Sequence, residues 1–289
     1  MGKKINLNLL TLLKCFVYLK YFPFIIIKIK NWCIFLLNYI SIKNNINFTY
    51  FFRDGTKIKV DDNINTATIA IVFIKKDYGD VKEDSIIIDI GANIGVYSIF
   101  AAKSRNTVVY AFEPMTDNFK LLEENIALNK LNGSILPFNV AVGAKTEKRK
   151  LYLGGSPFHS LYPVGDFRFD ALHGDKITKK QNYIEVECVS LKDVFQDNKI
   201  DHCNILKLDC EGAEFEILYN LPKEYFKMIE RIRVEYHDHK TDDNWTSGKL
   251  TKFLISEGFK IEKFKKESLY HDEDSWFYNL KYSNVKNQK

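Results

Sequence analysis

A doubly wound α/β protein on a mostly parallel sheet is what this sequence predicts, on three observations. The stretch Ser85–Ile99, SIIIDIGANIGVYSI, runs a β-branched segment into a carboxylate, two glycines and an amphipathic helix from about Val96. A strand covered on both faces looks like this where it turns into its crossover helix. Further apolar strands alternate with helical stretches, with strands expected at 86–89, 108–112, 135–140, 204–208 and 231–236. The length of 289 residues suits one such domain plus an appendage.

The appendage comes first. Residues 1–53 hold seven lysines and Arg53 with no acidic residue, so of a net charge of +5 the remainder carries 5 − 8 = −3. That basicity lies on an apolar, aromatic background, which favours an anionic membrane surface over nucleic acid as partner. Lys14, Lys20, Lys28 and Lys30 interrupt every apolar run, so neither a transmembrane span nor a secretory signal is supported. Two readings of residues 3–42 stand: interfacial helices broken at Pro23 with lysines reaching headgroups, or a helical cap on the catalytic domain. The expected division is 1–47 as this extension and 48–289 as the enzyme domain.

Phe48–Val60 alternates around Asp54-Gly55, a hairpin pattern. Between the second and third strands, Phe119, Leu122 and Ile126 share one helical face, with Thr116 as N-cap. Gly154–Asn182, between short strands at 150–153 and 183–189, is too long and glycine-rich for a plain connection and is expected to be a lid or acceptor wall. After Trp245 a helix (249–256) and two strands (259–264 and 276–282) are expected, the strands closing the sheet as an antiparallel pair. Five cysteines (Cys15, Cys33, Cys188, Cys203, Cys210) show no CxxC spacing, which excludes a disulfide framework or zinc motif and suits a reduced, cytoplasmic chain.

In an open parallel sheet ligands bind at the carboxyl ends of the strands, which here carry Asp89, Glu113, Asn139, Asp209 and His237. The first turn reads Asp89-x-Gly91-x-Asn93-x-Gly95, with Ala92 inside it. A carboxylate there repels a pyrophosphate but attracts an α-ammonium, by roughly 4 kcal/mol at an effective dielectric of about 20. That favours S-adenosylmethionine over a dinucleotide, with Asp89, Gly91, Ala92, Asn93 and Gly95 cradling it and Glu113 accepting its ribose hydroxyls. Asn139 lies near the adenine or is a satisfied turn residue. Asp209-Cys210-Glu211-Gly212-Ala213-Glu214 opens a helix whose positive end suits Glu211 and Glu214, the latter as a cap or in an ion pair. His237, read as a neutral imidazole, is the expected base, with Asp209 orienting the acceptor and Glu211 in support. Asp238 and His239 are taken as loop residues. Asp209, Glu211 and His237 are also a chemically acceptable divalent-cation set, but no sequence pattern demands a metal and none is assigned.

The blocks IIIDIGANIGVYS, YAFEPMTDNFKLLEENIALN, NVAVG, VECVSLKDVF, ILKLDCEGAEFEIL and RVEYH, in this order over about Gly55–His239, resemble the FkbM family of S-adenosylmethionine-dependent methyltransferases. The resemblance implies a class I methyltransferase (Rossmann-like) fold with a seven-stranded sheet, a helix at 66–73 before the cofactor strand, and methyl transfer, usually to oxygen, on glycan or secondary-metabolite acceptors. The expectation is therefore O-methylation of a sugar or glycan hydroxyl by a cytoplasmic protein, peripheral on the inner face of the membrane if the extension touches lipid, with no nucleic-acid partner. Two alternatives stand beside it: a non-catalytic glycan-binding subunit at a membrane, and an NAD-dependent sugar-modifying enzyme. Asp89 and the lack of GxGxxG argue against the second.

Overall fold

The computed structural model of the chain describes residues 21–40, 47–154, 159–163, 182–237, 242–266 and 278–284, without the side chains of Ile40 and of residues beyond 261. Lys14, Lys20, Cys15, most of the 154–182 segment, Asp238 and His239 lie outside the described residues. The chain forms two compact units, residues 1–77 and 78–289. The division thus falls after Asp77 and not after residue 47.

The first unit shows why. Helices α1 (Phe22–Lys28, with Pro23 in its first turn) and α2 (Trp32–Ile40) precede a hairpin of β1 (Phe48–Phe51) and β2 (Lys57–Val60). Buried Tyr50 packs edge-on against Phe35 of α2, and its hydroxyl meets Asn38 at 2.9 Å and Thr66 at 3.0 Å. Thr66 lies in α3 (Asn63–Ile69), capped by Asp62 and continuing as a π-helical turn over Ala70–Lys75. Hairpin and helices therefore share one core. At 1.5 Å per residue α1 and α2 are only about 10 and 14 Å long, and no helix among the described residues is long and apolar enough to cross a membrane. Of the lysines expected at headgroups, Lys28 donates its ammonium to the Phe73 carbonyl, whereas Lys30 is exposed.

The second unit is built on a seven-stranded sheet of β3 (Ile86–Ile90), β4 (Val108–Phe112), β5 (Ile135–Phe138), β9 (Cys203–Leu208), β10 (Ile229–Glu235), β11 (Phe259–Lys266) and β12 (Tyr278–Asn284), in the order β11-β12-β10-β9-β3-β4-β5. All pairings are parallel except those of β12, which is antiparallel to β10 and β11. This is the class I methyltransferase arrangement. The order reverses between β9 and β3: the chain runs outward one way through β4 and β5 and the other way through β10. That reversal opens a crevice at the carboxyl edge. Helices α4 (Val96–Ala102) and α5 (Thr116–Leu128) follow β3 and β4, and the buried Leu122 and Ile126 of α5 are two of the three apolar residues expected on its inner face.

A second sheet was not legible in advance. β6 (Ala141–Gly143), β7 (Glu147–Tyr152) and β8 (Tyr183–Ser190) form three strands in the order β6-β8-β7. Ser190 ends β8 and caps α6 (Leu191–Asp197), its hydroxyl accepting the Asp193 N–H at 3.0 Å. Helices α7 (Glu214–Asn220), α8 (Lys223–Phe226) and α9 (Ser247–Ser256) complete the unit.

Candidate active site

The turn after β3 needs its glycines. Gly91 has φ +76°, and a Cβ on it would stand 1.8 Å from the Asp209 carbonyl oxygen at the end of β9; Gly95, at φ +86°, would meet Leu122 at 2.5 Å. Gly91 and Ala92 donate their N–H groups to the Phe112 carbonyl. The first turn thus lies hard against the ends of β4 and β9, at the reversal of strand order.

Asp89 is fully buried and accepts the Ser98 hydroxyl at 2.6 Å. Its register partner on β9 is Lys207, whose ammonium lies 3.1 Å from Asp89 Oδ1, donates to the Gly91 carbonyl at 2.8 Å and stands 3.5 Å from Asp209 Oδ2. Burial would lower the lysine's pKa, but Asp89 and Asp209 hold it above its ordinary value. Asp89 was expected to be an open charge for a ligand ammonium; in the fold that charge is offset by Lys207, and the partly exposed carboxylate on this side is Asp209, 29% exposed.

Lys207 is in turn the register partner of Arg233 on β10, so Asp89, Lys207 and Arg233 form a charged row across three strands. Two residues further along lie Asp209 and Glu235, with the Tyr78 hydroxyl between them at 3.0 and 3.2 Å. One hydroxyl proton cannot serve both carboxylates at once. Glu235, pushed up to about 8 by burial and by Asp209, keeps a proton of its own at neutral pH and completes the bridge.

Beyond them lies the acid–imidazole cluster. Glu211 adopts φ +53°, in the left-handed region, and its Oε2 is 3.4 Å from His237 Nε2. Glu214, fully buried at the start of α7, accepts the N–H of Cys210 at 2.9 Å and of Gly212 at 3.0 Å, and also holds His237 Nδ1 at 3.0 Å. It is therefore cap and ion-pair partner together. Burial pushes Glu211 up to about 7. Burial also opposes ionisation of Glu214 and His237, yet their mutual attraction wins: Glu214 falls below its usual range and His237, held by Glu211 and Glu214, rises well above its own. The expectation of a neutral imidazole is corrected, since between two glutamates His237 carries a proton at neutral pH. Ser160, in the described part of the long loop, donates its hydroxyl to the Glu211 carbonyl, so this part of the loop touches the cluster.

On the other side of the crevice, Glu113 is buried at the end of β4. Its Oε2 accepts the Asn93 N–H at 2.8 Å, and its Oε1 accepts the Met115 N–H at 2.9 Å and the Asn118 amide at 3.4 Å. Burial pushes it up to about 7 against these bonds. A carboxylate has about four acceptor positions, so a ribose diol finds two of them only if the long Asn118 contact gives way. Asn139 is exposed, and its amide nitrogen donates to the Glu113 and Pro114 carbonyls. The residues that sequence reasoning missed are Lys207, Tyr78 and Glu235. A lysine inside an otherwise apolar strand, ILKLD, was the available signal for the first.

Residues 89–261 match the family model of the methyltransferase FkbM domain. The chain belongs to the FkbM methyltransferase family. Relatives of this FkbM protein include Methyltransferase 1 of Beauveria bassiana, 26% identical over 201 residues that cover 66% of this chain and 79% of that one. The 31-O-demethyl-FK506 methyltransferase FkbM of Streptomyces tacrolimicus is 23% identical over 199 residues, covering 63% and 75%. The hexuronic acid methyltransferase AglP of Haloferax volcanii is 23% identical over 162 residues, covering 55% and 58%. Membership in the FkbM family makes the chain a methyltransferase and displaces both alternative readings.

Proposed function

We propose that the chain is an S-adenosylmethionine-dependent O-methyltransferase acting on a sugar or related polyol hydroxyl. The observation that carries the reading is the excess of negative charge at the β9–β3 crevice: with Glu235 protonated, Asp89, Asp209, Glu211 and Glu214 outnumber Lys207, Arg233 and His237 by one. Such a site fits a ligand bearing an ammonium and a sulfonium and repels a pyrophosphate. Gly91, Ala92, Asn93 and Gly95 would line it and Glu113 would meet the ribose. When bound, S-adenosylmethionine supplies a methyl group on positively charged sulfur, so an acceptor hydroxyl gains the methyl and must lose a proton. Asp209 and Glu211, at the rim, receive and orient that hydroxyl; His237, pinned from behind by Glu214, holds Glu211 in place. The sugar acceptor is supported by the hexuronic acid relative, and oxygen as the methylated atom by the name of the FK506 relative.

Calorimetry with S-adenosylhomocysteine tests the cofactor. The full-length protein is expected to bind it, and Glu113→Gln to lose about 1.5–3 kcal/mol, the cost of hydrogen bonds to a charged group. Preferential binding of NAD would overturn the assignment. Transfer of labelled methyl from S-adenosylmethionine to a panel of uronic acids and neutral sugars then tests the acceptor class.

The amino-terminal unit supports a peripheral membrane reading. Phe24, Ile27, Ile34 and Leu37 are 52%, 65%, 39% and 69% exposed on α1 and α2, within a stretch that has eight basic residues and no acid. Vesicles containing phosphatidylserine should sediment the protein and release it as salt rises, because surface attraction is screened over about 10 Å at 0.1 M. Phe24→Glu with Leu37→Glu changes only exposed positions and should abolish sedimentation; equal sedimentation of variant and wild type would rule the surface out.

A further inference from the structure

Asp209, Glu211 and His237 each bring one ligand-type atom to a common point, all within 4.8 Å of one another. A divalent ion about 2.1 Å from each donor sets neighbouring donors about 3 Å apart and opposed donors about 4.2 Å apart. The trio therefore needs to close by about 0.6 Å if its widest pair takes opposed positions, and by up to about 1.8 Å if that pair takes neighbouring ones. The supports behind the donors fit the same use. Asp209 Oδ2 is engaged by Tyr78 and Lys207, which holds the carboxylate in place. His237 Nδ1 lies 3.0 Å from Glu214 Oε1, and Glu214 is itself fully buried and tied by the Cys210 and Gly212 N–H groups. A ring nitrogen donating to a buried, hydrogen-bonded carboxylate while the other nitrogen faces the site is the arrangement that orients metal-ligating histidines, and a cation entering there would displace the proton that Nε2 holds toward Glu211.

We propose that Asp209, Glu211 and His237 form a divalent-cation site that receives the acceptor hydroxyl, with Glu214 as its positioning residue. Two carboxylates with one imidazole suit Mn2+ better than Ca2+, which prefers all-oxygen sets. The inference rests on the proposed methyl transfer and concerns the same site. It changes how the proton leaves: a hydroxyl on a divalent ion is acidified as bound water is. The proton passes to solvent, and the oxygen keeps the electron pair that forms the bond to the methyl carbon.

The test uses full-length protein stripped with EDTA, titrated with Mn2+ while electron paramagnetic resonance reads the free ion. One ion per chain is expected, displaced by excess Mg2+. Asp209→Asn and Glu211→Gln should each weaken binding at least about tenfold, and Glu214→Gln by about ten- to a hundredfold through loss of the ring's orientation. Since Glu214 also ties the turn, Glu211→Gln, at the rim, is the deciding variant. The inference is overturned if stripped protein binds S-adenosylhomocysteine but takes up no Mn2+ to about 1 mM, the weak end for such sites, or if Glu211→Gln binds Mn2+ as wild type does. Uptake of Mn2+ that depends on Glu211, without binding of S-adenosylhomocysteine, would uphold the cation site and strike the cofactor reading alone.

Discussion

Gly91→Ala is expected to lower folding stability by at least about 3 kcal/mol and to abolish cofactor binding with it. The left-handed φ of +76° costs a residue with a Cβ roughly 1–2 kcal/mol, and the added carbon would stand 1.8 Å from a main-chain oxygen, that of Asp209. No side chain can swing aside to relieve that contact, so β3 and β9 must part where they are paired through Ile90 and Leu208. Urea unfolding of Gly91→Ala beside Gly248→Ala measures it. Gly248, near the start of α9, has nothing within 4 Å of its Cβ position, and alanine there should hold or add up to about 1 kcal/mol. Equal midpoints for the two variants would refute the account of the turn.

Lys207→Met should cost about 3–5 kcal/mol, the usual penalty when one partner of a buried ion pair is removed. Among the described residues, Asp89 would then keep the Ser98 hydroxyl as its hydrogen-bond donor. The double variant Asp89→Asn Lys207→Met removes both charges and should recover at least about 1 kcal/mol, a coupling in the ordinary range for residues in contact. Strictly additive losses would show that the pair does not stabilise the fold in this way. The same cycle separates stability from ligand binding. If Asp89 acted chiefly on a ligand, Asp89→Asn alone would weaken binding of S-adenosylhomocysteine without moving the unfolding midpoint.

These two expectations mark where the sequence was transparent and where it was not. Ile86–Ile90, Val108–Phe112 and Cys203–Leu208 announce themselves because buried parallel strands are apolar throughout, and their bounds differ from the expected ones by a residue or less. β6 was not legible, since three residues, Ala141–Gly143, are too few for any periodicity. In the site, residue types at strand ends were readable but their partners were not. Asp89 and Lys207 meet only through the register of β3 on β9, and His237 meets Glu214 across 23 positions. A pKa follows from neighbours in space, which is why His237 was expected neutral and stands protonated between two glutamates, and why Glu113, expected to be open to a ribose, already holds two main-chain N–H groups.

The contact between Gly91 and the Asp209 carbonyl also bears on timing. The side of the crevice formed by β3 and β4 and the side formed by β9 and β10 touch through main chain, and the Asp89–Lys207–Asp209 chain spans the same gap. Neither side can slide without breaking both. Collinear displacement tolerates little error, an ångström of misplacement being worth about a hundredfold in rate. Here the spacing between the two sides of the crevice is set by the folded chain before anything binds, so on the proposed reading the distance from methyl donor to acceptor is fixed by the sheet itself.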